Sequence, residues 1–212
     1  MKIRGKTEEI IRILKKEYPR AGIALSFSNH MQLLAAVILS AQCTDKRVNI
    51  ITRDLFKKYR KVTDFADADI RVFEQEIRSA GFFRHKAGNI IAAAGMIRKD
   101  FRGRVPRTME ELLKLPGVAR KTANIILYNA FAKNDGIAVD THVRRLAIRM
   151  GLTKNNRPEA IENDLMKTVL RRDWGKLNDL MVEHGRRVCL ARTPLCVKCA
   201  VQRQCHYFQK QK

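Results

Sequence analysis

The sequence predicts an all-α protein, and three observations carry that reading. Apolar residues recur three and four apart along nearly the whole chain, the period of a helix with one buried face. No long alternation of apolar and polar residues occurs, so no half-buried strand is signalled. Residues that start and stop helices fall between the periodic stretches: Pro19, Gly81, Thr108, Pro116, Asp140 and Gly151.

In chain order, residues 7–18 form an amphipathic helix with Ile10, Leu14 and Tyr18 on one face and Arg12, Lys15 and Lys16 toward water. Pro19 ends it. Residues 30–40 are almost wholly apolar and read as a buried helix. It exits into Ser40-Ala41-Gln42-Cys43-Thr44-Asp45, a polar turn in which Thr44 or Asp45 caps the next helix, carrying Val48, Ile51, Leu55 and Phe56. Cys43 stands alone and reads as an incidental thiol. Residues 67–79 read as one helix, with Ile70, Phe73, Glu74 and Ile77 a turn apart, stopped by Gly81. Phe82 and Phe83 follow, beside Arg84, His85 and Lys86. One of these aromatics suits the core. The other could wedge between bases, as apolar side chains do in some nucleic-acid binders. A helix over 86–99 leads through Phe101–Pro106 to the next element.

Residues 108–142 are the stretch around which the chain is organised. Thr108 and Glu111 open a short helix with a capping-box spacing. Leu112, Leu113 and Leu115 give it an apolar side, Pro116 stops it, and Gly117 allows a tight turn. A second helix starts near Arg120 and runs through Ala132. The reading is helix, hairpin, helix. Its second helix begins with free N–H groups and the positive end of the helix dipole, suited to a phosphate. Arg120 and Lys121 add charge there. Lys121, near a helix start and another cation, has its charged form disfavoured, which favours a nucleophile. Plain phosphate binding by the same lysine is the competing explanation. Asp140 precedes an apolar run, Val143, Leu146, Ala147 and Met150, that closes at Gly151, so it reads as an N-cap. Capping alone accounts for it. A carboxylate fixed by cap bonds could also stabilise positive charge on a sugar or relay a proton.

Composition sets the partner class. Lys and Arg number 43 against 21 Asp and Glu in 212 residues, a net charge of +22. The excess is spread along the chain, which points to a polyanion and first to nucleic acid. The longest apolar run, Leu33–Leu39, is far below the ~20 residues of a membrane span. No export signal is legible, and five cysteines are an odd number. A reducing cytoplasm, at the nucleoid, is expected, and secretion is not.

After Gly151 a polar loop and a helix cover Thr153–Leu170, and another helix covers roughly 174–188. Its His184 reads as a packed or hydrogen-bonded histidine. Four cysteines then follow as C-x6-C-x2-C-x5-C: Cys189, Cys196, Cys199 and Cys205. Two metal readings compete, a tetrahedral zinc site and a [4Fe–4S] cluster. Only one close pair is present, flanked by longer arms, which leans toward the bulkier cluster. Residues 183–212 hold seven Lys or Arg against one acid, so the 190–195 loop with Arg192 also suits a phosphate.

Taken together, SAQCTD at 40–45, GFFRHKAGNI at 81–90, LPGVARKTAN at 115–124, AVDTHVRR at 138–145 and the cysteine spacing resemble the endonuclease III family. These are DNA glycosylases and AP lyases of the helix-hairpin-helix superfamily. The resemblance spans nearly the whole chain, in the family's order. It implies a two-lobed fold, a six-helix lobe near 22–133 with its hairpin at about 108–133, and an iron–sulfur lobe from 1–21 with 134–212 and a cluster loop at 189–205. It implies Lys121 as catalytic lysine and Asp140 as catalytic aspartate. Cys189, Cys196, Cys199 and Cys205 would ligate a structural [4Fe–4S] cluster. Gln42 would fill the gap left by an extruded nucleotide, with Phe82 as the wedge. Gly117, Ala119, Arg120 and Arg192 would contact DNA. Two positions depart from the pattern. Phe82 stands where the family commonly has leucine. Ala119 stands where the hairpin usually has glycine, and it is strained by roughly 1 kcal/mol or more if its φ is positive. If φ is negative there, only the room for its methyl matters.

The expected activity is excision of damaged, oxidised pyrimidines from duplex DNA, with cleavage at abasic sites by β-elimination. The enzyme is expected to be a monomer with no membrane partner. Two other readings remain open: a mismatch-specific thymine or uracil glycosylase on the same scaffold, and a non-enzymatic iron–sulfur DNA-binding protein.

Overall fold

The structure, a computed structural model, describes residues 3–210, and those residues form helices and loops with no strand among them. The first eight helices are α1 (Ile3–Glu17), α2 (His30–Ser40), α3 (Asp45–Lys58), α4 (Val62–Ala66), α5 (Ile70–Glu76), α6 (Phe83–Asp100), α7 (Met109–Leu112) and α8 (Arg120–Phe131). Then come α9 (Thr141–Met150), α10 (Pro158–Thr168), α11 (Trp174–Arg187) and α12 (His206–Gln209). They divide into two compact units, Ala24–Lys133 and Met1–Ile23 with Asn134–Lys212.

The unit Ala24–Lys133 is built around α2. Every residue from Met31 to Leu39 is buried, so this helix is apolar all round, as the sequence led one to expect. Asn29 caps it by accepting the Gln32 amide at 3.0 Å. Helices α3, α6 and α8 pack against it. Beside them Phe56, Tyr59, Phe65 and Phe73 form an aromatic cluster, with Tyr59 and Phe73 edge to face at 5.0 Å between centroids. Such pairs add about 0.5–1.5 kcal/mol beyond burial.

The other unit joins α1 to α9, α10 and α11. Ile10, Leu14, Leu146, Leu165, Leu177 and Leu180 are completely buried at its centre. The α1 face expected to be apolar is the buried one. Polar pins accompany it: Lys15 Nζ donates to Asp173 Oδ1 at 2.5 Å, and Tyr18 Oη lies 2.9 Å from His184 Nδ1.

Several boundaries differ from the sequence reading. The helix expected over 67–79 is α5 followed by a 3₁₀ turn, Arg78–Ala80, because the chain leaves helical geometry at Ile77 (φ −104°, ψ 8°) to bury that side chain. Helix α4 was not foreseen. Helix α1 starts four residues earlier than expected, and α6 starts at Phe83 instead of 86.

Candidate active site and DNA-contacting loops

The hairpin is built as its residues dictate. The Thr108 hydroxyl accepts the Glu111 amide at 3.3 Å and starts α7. The chain turns at Pro116-Gly117, where Gly117 has φ +78°. A Cβ on Gly117 would lie 2.9 Å from Asn89 Cβ, so glycine is required both for backbone geometry and for close approach to α6. Ala119 takes φ −94° and ψ 170°, an extended conformation open to any residue. Alanine in place of the family's glycine is therefore unstrained. No side chain caps α8 at its start, which leaves its first-turn amides without intrahelical acceptors. Arg120 and Lys121 are exposed there as its first two residues.

Asp140 belongs to the other unit. Its carboxylate accepts the Val143 amide at 2.7 Å, and α9 ends at Gly151 with φ +69°. The cap leaves the second carboxylate oxygen for other work. The strand of chain leading to Asp140 is pinned from two sides. Asn178 Nδ2 donates to the Ala138 carbonyl at 2.8 Å, and the Ile137 amide donates to the buried Glu162 carboxylate at 3.2 Å. Neither partner was singled out from sequence, since both act on backbone atoms far along the chain.

Gln42 and Phe82 occupy the tips of two loops in the hairpin's unit. Both are exposed, Phe82 to 65%. Both are non-glycine residues in left-handed backbone, φ 51° at Gln42 and 49° at Phe82. Each such conformation costs on the order of 1–2 kcal/mol, and residues held that way concentrate at working loops. Phe83, next to Phe82, is half-buried with the Arg84 guanidinium over its ring. Thus one aromatic packs and the other projects. Beneath the tips lies Lys86, 5% exposed, whose Nζ donates to the carbonyls of Leu39 (2.9 Å) and Ala80 (2.7 Å). Burial holds its pKa below the usual lysine value, with nearby Cys43 acting the other way. The sequence held a sign of this: Lys86 falls on the same helix stripe as Ile90, Ala94 and Ile97, a cation on an apolar face.

The cysteine segment forms a closed loop. The Leu195 amide donates to the Val188 carbonyl at 2.9 Å. Two arginines of α9 hold its wall. Arg145 donates to the Cys189 carbonyl (Nη2, 3.0 Å), and Arg149 donates to the carbonyls of Leu190 (2.6 Å) and Ala191 (2.7 Å). Arg149 Nη1 also lies 3.4 Å from Cys189 Sγ, and His184 Nε2 lies 3.4 Å from Cys199 Sγ. Arg192 is exposed on this loop. All four cysteines are free thiols. Burial pushes the Cys199 thiol up to about 11, reinforced by the charges of Cys205, Cys189 and Cys196. Burial and neighbouring Cys189 and Cys205 raise Cys196 as well. Cys196 and Cys199 thus share an electrostatic neighbourhood with Cys189 and Cys205. Among the described residues no three His, Cys, Asp or Glu side chains stand as the ready ligand set of a single metal ion.

A family model for HhH-GPD superfamily base excision DNA repair proteins matches residues 35–171. Endonuclease III of Synechocystis is 51% identical over 93% of this chain and 90% of its own length. Endonuclease III of Bacillus subtilis is 41% identical over 91% and 88%. Among solved structures, a trapped endonuclease III–DNA covalent intermediate superposes with a TM-score of 0.93 at 38% identity, covering 100% of this chain and 99% of that one. A thermostable thymine-DNA glycosylase, at 22% identity and a TM-score of 0.87, shares the fold. With its uncapped α8 behind a glycine turn, its aspartate-capped α9 and its four-cysteine loop, the chain belongs to the endonuclease III family of helix-hairpin-helix base excision repair proteins.

Proposed function

We propose that this DNA glycosylase and AP lyase removes oxidised pyrimidines from duplex DNA, with Lys121 as nucleophile and Asp140 as its acidic partner. The observation that carries the reading is Lys121 itself, exposed at the second position of a helix whose start no side chain caps. Free amides, the dipole and Arg120 make that end a phosphate grip, with the Gly117 turn and Ala119 letting backbone approach the strand. Chemistry on a paired base requires the nucleotide to leave the stack, at a cost of a few kcal/mol that damage lowers. Gln42 would fill the space it leaves and Phe82 would part the neighbouring bases. The basic loop residue Arg192 would hold the backbone, and the charge of +22 would supply general attraction.

The Lys121 amine then attacks C1′ of the extruded nucleotide. An N–C1′ bond forms as the bond from C1′ to the base breaks, and the base leaves with a proton. Asp140 stabilises the cationic sugar while its other oxygen keeps the cap. The C1′–O4′ bond then opens, O4′ taking up the proton the amine gives up, and the sugar stays on the enzyme as a Schiff base. Removal of a 2′ proton breaks the C3′–O bond, and hydrolysis returns the amine. That a family member at 38% identity has been captured as a covalent DNA intermediate supports this route.

Cys189, Cys196, Cys199 and Cys205 would hold a [4Fe–4S] cluster. Four free thiols in one segment, whose backbone carbonyls are bonded by Arg145 and Arg149, fit a cationic iron–sulfur core. Bound, the cluster supplies cross-links that fix the loop carrying Arg192. The enzyme would act as a monomer at the nucleoid. No helix among the described residues is long and apolar enough to cross a membrane.

Borohydride reduction with single-lesion duplexes tests the reading. Thymine glycol opposite adenine should give a protein–DNA crosslink in the wild type and none in Lys121→Ala, while binding to the duplex persists. Excision of thymine or uracil opposite guanine without trapping would favour a mismatch-specific enzyme. Nicking by Lys121→Ala at the wild-type rate would remove the assigned nucleophile. Purified protein should be yellow-brown with iron and sulfide; colourless protein with one zinc would overturn the cluster.

A further inference from the structure

We propose that Lys86 is a positioning residue that sets the Gln42 and Phe82 loops in register for nucleotide extrusion. This deepens the reading above, because it rests on Gln42 and Phe82 being the residues that enter the duplex. Lys86 lies in the first turn of α6, four residues after Phe82. Its side chain is only 5% exposed, a burial at which lysine is seldom found unless partnered. Two of its protons go to backbone carbonyls. One is Leu39, three residues before Gln42, and the other is Ala80, two residues before Phe82. Both acceptors come from the roots of the loops whose tips hold left-handed, non-glycine backbone. Left-handed backbone in such residues persists only where surrounding bonds over-determine it. One cation bonded to both roots is such a constraint, and it ties the two tips to each other as well as to the core.

Helix α6 carries a second fixed point one turn on, since Asn89 meets the Gly117 turn of the hairpin. Phe82, Lys86 and Asn89, at spacings of four and three, therefore key the wedge, the gap-filling loop and the phosphate-gripping hairpin to one helix. The consequence is specific. Losing Lys86 should impair steps that need both tips placed together, and spare chemistry on a strand with no partner to part.

The experiment uses the full chain with Lys86→Met, which keeps the side-chain length and apolar stem but donates nothing. Single-turnover excision of thymine glycol from a duplex should fall about 10- to 100-fold, the scale of a small misplacement at a reacting centre. A 2-aminopurine placed opposite the lesion should lose its fluorescence rise on binding. Schiff-base nicking of a single-stranded abasic oligonucleotide should stay within about twofold of wild type. Hydrogen exchange should quicken at residues 40–43 and 80–83 and stay unchanged at 115–124. Equal losses on both substrates would reduce Lys86 to a fold-supporting residue and overturn the proposal, as would no loss on either. Should Lys86→Met not fold, Lys86→Gln, which keeps an amide donor, must show the same split at smaller size or the proposal fails. Phe82→Ala and Gln42→Ala separate the two layers. If neither alters the duplex fluorescence, the reading of the tips has failed, and with it the part proposed for Lys86 in extrusion; quickened exchange in Lys86→Met would then show only that Lys86 orders the two loops.

Discussion

Replacing Gly117 by alanine should be costly for two separable reasons. The first is local: at φ +78° an L-residue sits in the left-handed region, about 1 kcal/mol or more above its preferred basin. The second is packing. The new methyl would meet Asn89 Cβ at 2.9 Å, Nδ2 at 3.0 Å and Cγ at 3.1 Å, too close to be absorbed without moving the hairpin or α6. Overpacking of this kind costs roughly 1–3 kcal/mol. The sum, about 2–4 kcal/mol, corresponds to a fall in melting midpoint of roughly 6–12 °C for a chain of this size. Affinity for undamaged duplex should fall with it, since the displaced turn leads into the α8 amides. A double-mutant cycle divides the two parts. Asn89→Gly removes every contacted atom, at a helix-propensity cost of about 1 kcal/mol. In the pair Gly117→Ala/Asn89→Gly, the contact part should be recovered as coupling of about 1–3 kcal/mol while the backbone part remains. Additive effects would refute the packing argument. A Gly117→Ala protein as stable as wild type would refute both.

Asp140→Asn should keep the α9 cap, because asparagine caps as well as aspartate, yet lose the charge; stability by thermal melting should change by under ~1 kcal/mol while excision drops at least 100-fold. Asp140→Ala should lose both, melting lower by about 1 kcal/mol or more. Asp179, buried on α11, has its pKa pushed up to about 6 by burial, with Lys176 acting the other way. A folded pKa above the unfolded one means stability that is full below about pH 4 and lost as pH rises through about 6. Asp179→Asn should therefore stabilise the protein by on the order of 2–3 kcal/mol at pH 7.5 and by little at pH 4, as urea titrations would show; equal effects at both pH values would discount the burial argument. Binding to undamaged duplex should weaken linearly in log–log form with salt, at about 0.9 in slope for each phosphate neutralised, and a flat response would remove the electrostatic reading of the +22 charge.

What could be read from sequence was what local chemistry decides. Asp140 and Gly151 bracket α9 because a carboxylate N-cap and a left-handed glycine are each recognisable within a turn. The Gly117 turn and the apolar α2 were legible for the same reason. Helix α4 was not, because five residues hold no periodic signal and its formation rests on Phe65 being buried in an aromatic cluster gathered from α3 and α5. The early start of α6 was hidden because Phe82 enters it through left-handed backbone without a capping side chain. Lys86 shows the limit best. Its place on an apolar stripe could be noticed, but its acceptor at Leu39 lies 47 residues away, and only the fold brings that carbonyl to it. Arg145 and Arg149 are alike in acting on backbone oxygens some forty residues distant, which no motif encodes.

The pairing of Tyr18 with His184 across 166 residues has a bearing on biosynthesis. A ribosome releases α1 well before its packing partners α10 and α11, with Ala24–Lys133 emerging whole in between. The inserted unit can close while α1 still has nothing to sit on, so nascent α1 must stay soluble as an unsheltered amphipath until α10 and α11 have emerged. Its basic outer face, Arg12, Lys15 and Lys16, suits it to that wait.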